Sequence, residues 1–149
     1  MKRKKHVHIG VYGILIEDDK ILLIKKANGP YKGKLDLPGG SLKHGERPED
    51  TLIREMKEET GLTITSYGIN NSDSVTIDWN FDGDDVSTHH IGIFYDIISY
   101  NGSIKSKLNV NKQNDDSLGA SFYEIKALKK EKLSLIVILE LERLGYILK

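Results

Sequence analysis

Cysteine is absent from this 149-residue chain. Without it there is no disulfide, no zinc ribbon and no thiol nucleophile, and the composition fits a reducing, cytoplasmic compartment. An excess of one charge is also missing, since 22 basic side chains face 22 acidic ones. A balanced chain lacks the basic field that tracks a long nucleic-acid backbone, so extended nucleic acid is not an expected partner. No apolar run approaches the roughly 18 residues of a membrane span, and no membrane partner is expected either. The opening MKRKK is basic like a signal-peptide n-region, but the segment behind it carries two histidines, soon turns acidic and offers no small-residue cleavage site. It reads as a solvated terminus followed by a strand. Repeats, low-complexity tracts and obvious linkers are lacking, so residues 1–149 read as one domain, long enough to bury about 68–70% of its unfolded surface.

What is present is a series of β-rich segments around one helix. VHIGVYGILIE and KILLIKK, joined at Asp18 and Asp19, predict an antiparallel hairpin. ANGPYKGKLDLPGGSLKHG then gathers glycine and two of the three prolines, as a loop with unusual backbone conformations requires. RPEDTLIREMKEETGL predicts a helix with Pro48 in its first position and Gly61 at its C-terminal cap, although Arg47 is a poor N-cap. LTITSYGI, DSVTIDW and THHIGIFYDIISY predict strands separated by polar loops, and a long polar stretch, residues 101–119, precedes a short strand, ASFYEI. For LSLIVILELERLGYIL the β-branched residues favour strand, whereas its length and Gly145 favour helix, and helix is the reading adopted.

The helix poses the chemical question. At about 100° per residue, Glu55, Glu58 and Glu59 fall on one arc, with Leu52, Ile53 and Met56 on the neighbouring arc and Arg54 on the other flank. Like charges at these spacings each destabilise a helix by roughly 0.2–0.5 kcal/mol, so a cation is the natural partner. Clustered carboxylates without histidine or cysteine suit Mg²⁺, Mn²⁺ or Ca²⁺ rather than zinc or copper. Arg54, four residues before Glu58, can hold a carboxylate by bidentate hydrogen bonds.

From Gly40 the chain runs Gly-x5-Glu46-x7-Arg54-Glu55-Met56-x-Glu58-Glu59-x-Gly61-Leu62, preceded by LPG. This resembles the box of the Nudix hydrolase superfamily at every fixed position, over residues 40 to 62. The resemblance implies an α/β fold, the α/β/α sandwich with a mixed sheet. It also implies hydrolysis of a diphosphate bond in a nucleoside diphosphate linked to another group. By position, Glu55, Glu58 and Glu59 match the family's metal-binding and catalytic glutamates, and Gly39 matches the residue whose carbonyl often joins the metal shell. Arg54 and Glu46 match the positions that support the site through a salt bridge, beside Gly40. The implied cofactor is Mg²⁺, with Mn²⁺ as a substitute, and the implied partner is a small nucleotide-type molecule. Such a metal neutralises phosphate oxygens and supplies an activated water, while a carboxylate accepts that water's proton. A non-catalytic ligand sensor and an RNA 5′-end pyrophosphohydrolase are the alternative readings of the same box.

Other features weigh less. Asp115 and Asp116 match a later-loop carboxylate that some family members use as base, but equally read as a solvated acidic turn. DWNFDGDDVSTH begins like a calcium loop but has His89 where the bidentate Glu belongs, and reads as a β-hairpin loop. His89 and His90, being adjacent in a strand, point to opposite faces. His6 and His8 read as strand surface, Trp79 and Tyr31 as packing residues, and Lys25, Lys26, Lys32 and Lys34 as solvated. Residues 27–36, 80–88 and 101–119 are expected to select the substrate.

Overall fold

A computed structural model describes residues 3–104 and 117–149. Its strands are β1 (Lys4–Ile14), β2 (Ile16–Glu17), β3 (Lys20–Lys26), β4 (Leu35–Asp36), β5 (Gly39–Ser41), β6 (Thr63–Phe81), β7 (Asp84–Asn101) and β8 (Ser117–Glu124), and its helices are α1 (Pro48–Thr60) and α2 (Leu135–Arg143). One sheet has the order β5-β1-β7-β6; in the other, β3 pairs with β2, β4 and β8. The first sheet is mixed, since β1 runs parallel to β7 and antiparallel to β5.

The two helices cover opposite sides. Ile21 and Leu23 enter the core beneath α2, with Ile136, Val137 and Leu141. Leu22 and Ile24 enter the core beneath α1, with Leu52 and Met56. A strand buried on both faces has no polar alternation, which explains the continuous apolar run in KILLIKK. The arrangement is the α/β/α sandwich with a mixed sheet expected from the box.

Helix α1 begins and ends where its residues dictate. Pro48 occupies its first turn, and Gly61 closes it in the left-handed conformation at φ 83°. Asp50 compensates for the poor N-cap by accepting the Arg47 backbone N–H at 3.3 Å. Leu52 and Met56 are fully buried, but Ile53 is exposed; the apolar arc is therefore narrower than the helical wheel indicated. For α2, the Ser134 side chain accepts the Val137 N–H and donates to buried Asp36 at 2.7 Å.

Four other expectations change. The hairpin at Asp18 and Asp19 exists, with both residues at positive φ, but it joins β2 to β3 only. β1 ends at Ile14 and belongs to the other sheet. LTITSYGI and DSVTIDW form one strand, β6, because irregularities at Ile64/Ser66, Ser66/Tyr67 and Ile69/Asn71 absorb the polar residues without breaking the pairing to β7. A short repeat is also present: HIGVY at residues 8–12 lies against HIGIF at residues 90–94, in register. The basic terminus is tied to the β6–β7 tip, with Arg3 3.5 Å from Asp78 and Lys4 2.9 Å from Asp84. Among the described residues no helix is long and apolar enough to cross a membrane.

Candidate active site

The glycine-rich loop brings β5 beside α1, and the carboxylates of α1 point across it. Glu55, Glu58 and Glu59 all line a cavity of about 200 Å³ together with Gly39, Gly40 and Lys26. Glycine at position 40 is a matter of space, because a Cβ there would lie 2.6 Å from Glu55 Cδ.

The three glutamates differ in setting. Glu59 is buried and accepts the Gly39 backbone N–H on Oε1 at 2.8 Å. Burial drives its carboxyl well above the usual range, against the pull of that hydrogen bond. Glu55 is raised by burial as well, and the Arg54 guanidinium opposes the rise. Glu58 is half exposed, 3.4 Å from an Arg54 Nη1.

Arg54 organises the group. Its Nε and Nη2 donate to the two oxygens of Glu46 at 2.8 and 2.9 Å, and its Nη1 donates to Glu55 at 2.8 Å. Glu46 also accepts from the Thr51 hydroxyl at 2.9 Å. Hydrogen bonding to Arg54 first, then to Thr51, lowers the Glu46 carboxyl to about 2.

This donor set suits a hard divalent cation. It is all oxygen, and two carboxyls that burial disfavours as anions would be relieved by a positive charge. Among the described residues, no three acidic, histidine or cysteine side chains converge closely enough to hold a metal ion by themselves. Mg²⁺ does not need this, because it keeps several waters and uses one or two carboxylates plus substrate phosphates. Glu55, Glu58, Glu59 and the Gly39 carbonyl are the groups that could hold it.

A second cavity, of about 280 Å³, adjoins the first and shares His8, Tyr12, Lys26 and Ser41 with it. Its walls include His6, Tyr31, Trp79, Thr88 and His90. His90 is buried, meets the Tyr12 hydroxyl at 2.6 Å and the Tyr31 hydroxyl at 3.2 Å, and stacks on His8 at 4.8 Å. Burial lowers its imidazole to about 3, so it is neutral at working pH.

His6, His8, Tyr31, Trp79 and Lys26 therefore line a cavity rather than forming plain strand surface, packing and solvated charge. His89 is exposed, opposite in direction to His90 as expected. The calcium-like segment forms the β6–β7 turn, with Asp82 and Gly83 at positive φ. Of the expected selectors, residues 28–31, Asp36 and Thr88 reach the cavity. Asp115 and Asp116, and most of 101–119, lie outside the described residues. Tyr12 is a cavity residue that inspection of the sequence does not single out, and His90 stands out there only for its direction, although the repeated His-Ile-Gly is a visible signal for it.

The NUDIX domain family matches residues 4–137. The chain belongs to the Nudix family. An ADP-ribose pyrophosphatase from Methanocaldococcus jannaschii is 35% identical over 125 residues, which are 84% of this chain and 66% of that protein. An 8-oxo-dGTP diphosphatase from Escherichia coli is 37% identical over 66 residues, 44% of this chain and 51% of that one. The chain thus spans between half and two thirds of these relatives. The crystal structure of a MutT Nudix hydrolase from Burkholderia pseudomallei shares the Nudix fold, with a TM-score of 0.69, 22% identity, and coverage of 94% of this chain and 99% of that one.

Proposed function

We propose that this chain is a Mg²⁺-dependent Nudix pyrophosphohydrolase that cleaves the diphosphate of a small nucleotide linked to a second group, with ADP-ribose-type compounds foremost. One observation carries the reading: the carboxylate cavity adjoins an aromatic cavity of about 280 Å³, and the two share His8, Tyr12, Lys26 and Ser41. A diphosphate beside Glu55, Glu58 and Glu59 would then place its nucleoside in the cavity that Tyr31 and Trp79 help to line. The 35% identity to an ADP-ribose pyrophosphatase over most of the chain favours that substrate class.

Glu55, Glu58, Glu59 and the Gly39 carbonyl would hold the metal. When bound, Mg²⁺ neutralises phosphate oxygens and lowers the pKa of a coordinated water. Arg54 keeps Glu55 and Glu58 apart and oriented, and Glu46 keeps Arg54 in place. The three glutamates would divide the labour, one or two holding the metal and another accepting the proton of the attacking water. Lys26, on the wall common to both cavities, meets the phosphates.

A substrate panel with product identification tests this: ADP-ribose, a nucleotide sugar, 8-oxo-dGTP and 5′-triphosphate RNA, each with and without Mg²⁺. Metal-dependent release of a nucleoside monophosphate from a small nucleotide is expected. Binding of these compounds without cleavage, in Mg²⁺ or Mn²⁺, would instead indicate the sensor, and preference for RNA the 5′-end hydrolase.

A further inference from the structure

The paired segments HIGVY and HIGIF set His8 opposite His90, Gly10 opposite Gly92 and Tyr12 opposite Phe94. Their glycines clear a trough on one face of the sheet. A Cβ on Gly10 would lie 2.5 Å from Tyr12 Cζ, and one on Gly92 2.9 Å from Phe94 Cε2. Each ring therefore lies back along its own strand over the glycine two residues earlier, where i and i−2 share a face. The two rings stack with centroids 5.8 Å apart.

Lying this way, Tyr12 reaches from one cavity to the other. At its far end the hydroxyl meets His90 Nε2 at 2.6 Å. At its near end the backbone pairs with Gly39, and a Cβ on Gly39 would lie 2.7 Å from both Cα and Cδ1 of Tyr12. Gly39 in turn donates its N–H to Glu59. His90 is a fixed anchor: its other nitrogen faces the Tyr31 hydroxyl and its ring is stacked on His8. Tyr12 and His90 are both buried, so removing either partner leaves the other polar group unpaired, an arrangement that strongly resists displacement.

We propose that Tyr12 is a positioning residue for the metal-holding cavity: anchored at its hydroxyl by His90, it fixes Gly39 and, through the Gly39 N–H, the orientation of the Glu59 carboxylate. This rests on the reading of Glu59 as metal-facing. The His90–Tyr12 hydrogen bond then contributes to metal affinity although neither side chain holds the metal. It also ties the aromatic cavity to the carboxylate cavity by a continuous chain of contacts.

Calorimetric Mn²⁺ binding to the folded, substrate-free protein tests the inference in the parent, Tyr12→Phe, His90→Phe and the double variant. Both single variants should bind Mn²⁺ about three- to tenfold more weakly, less than the roughly 10–100-fold loss for a group hydrogen-bonded directly to a metal ligand. The double variant should be no weaker than either single one, because all three lack the same bond. Lowered melting temperature with Mn²⁺ affinity within twofold of the parent, or additive losses in the double variant, would overturn it. A parent that fails to bind Mn²⁺ overturns the metal reading and this inference together, whereas a binding parent with indifferent variants overturns only this one. Should the variants not fold, Mg²⁺ titration of the parent followed by the His90 Nε2 nitrogen resonance replaces them. A shift tracking metal saturation supports the relay, and a resonance blind to Mg²⁺ overturns it.

Discussion

Arg54 grips Glu46 with two parallel hydrogen bonds, at 2.8 and 2.9 Å, and turns its remaining arm toward Glu55 at 2.8 Å. The fork can do this because guanidinium is planar and permanently charged, and lysine offers only a point charge. Arg54→Lys should therefore lower kcat on the order of 10- to 100-fold, with KM little changed, when both constants are measured on the best substrate of the panel. An equal rise in KM alone would mean that Arg54 binds substrate instead.

The same pair predicts an acid response. Glu46 is held down to about 2 by hydrogen bonding to Arg54, below the roughly 4.3 of an unfolded chain. Its contribution to stability is fully present above about pH 4.3 and is lost as pH falls toward 2. Urea unfolding across that range should show a shallower loss in Glu46→Gln than in the parent.

Glu55 and Glu59 behave in the opposite sense. Burial raises both carboxyls, so ionising them costs the metal-free fold stability as pH rises through their folded pKa values. A metal takes the ionised forms, and binding must release protons. Mg²⁺ affinity should accordingly strengthen from pH 5 to pH 7, as calorimetry in two buffers of different ionisation enthalpy would record. A flat profile with no buffer dependence contradicts the assignment of these carboxylates.

Gly40→Ala places a Cβ 2.6 Å from Glu55 Cδ. The obstacle is the end of a side chain, so Glu55 swings away and the fold survives. Activity and Mg²⁺ affinity should fall together while the melting temperature changes little.

Trp79 donates its indole N–H to Thr88 at 2.8 Å and presents its ring to the aromatic cavity. Stacking of a base on an aromatic ring is worth about 1–3 kcal/mol. Trp79→Ala should raise KM with kcat largely retained, and it should do so most for substrates whose base stacks well. Unchanged KM across the panel would remove the nucleoside from this cavity.

Local spacing made the carboxylate site legible in the sequence, and non-local pairing hid the rest. Pro48 and Gly61 act within one helix, so their places follow from counting residues, whereas the pairing of Glu46 with Arg54 follows from the resemblance to the Nudix box. His90 and Tyr12 meet across 78 positions, through a register that no local pattern encodes, and the cavity around them emerges only from the fold. Polar Asn71 and Ser72 look like a loop, yet they pair with Phe94 and Ile93 along β6, because β6 is an edge strand with much of its surface in water. Ile53 misleads in the other direction: helical spacing assigns it to the apolar face, but the sheet beneath α1 is covered by Leu52 and Met56.

The central claim is that the cavity of Glu55, Glu58 and Glu59 is a metal site, and thermal unfolding of the parent and Glu59→Gln, each with and without Mg²⁺ at matched ionic strength, tests it most directly. Without metal the two should be close in stability, because burial already favours an uncharged Glu59 and glutamine keeps the carbonyl that accepts the Gly39 N–H. With Mg²⁺ at about 100 times its dissociation constant, the parent should gain about 2.7 kcal/mol and the variant far less. Equal shifts in the two proteins would contradict the account.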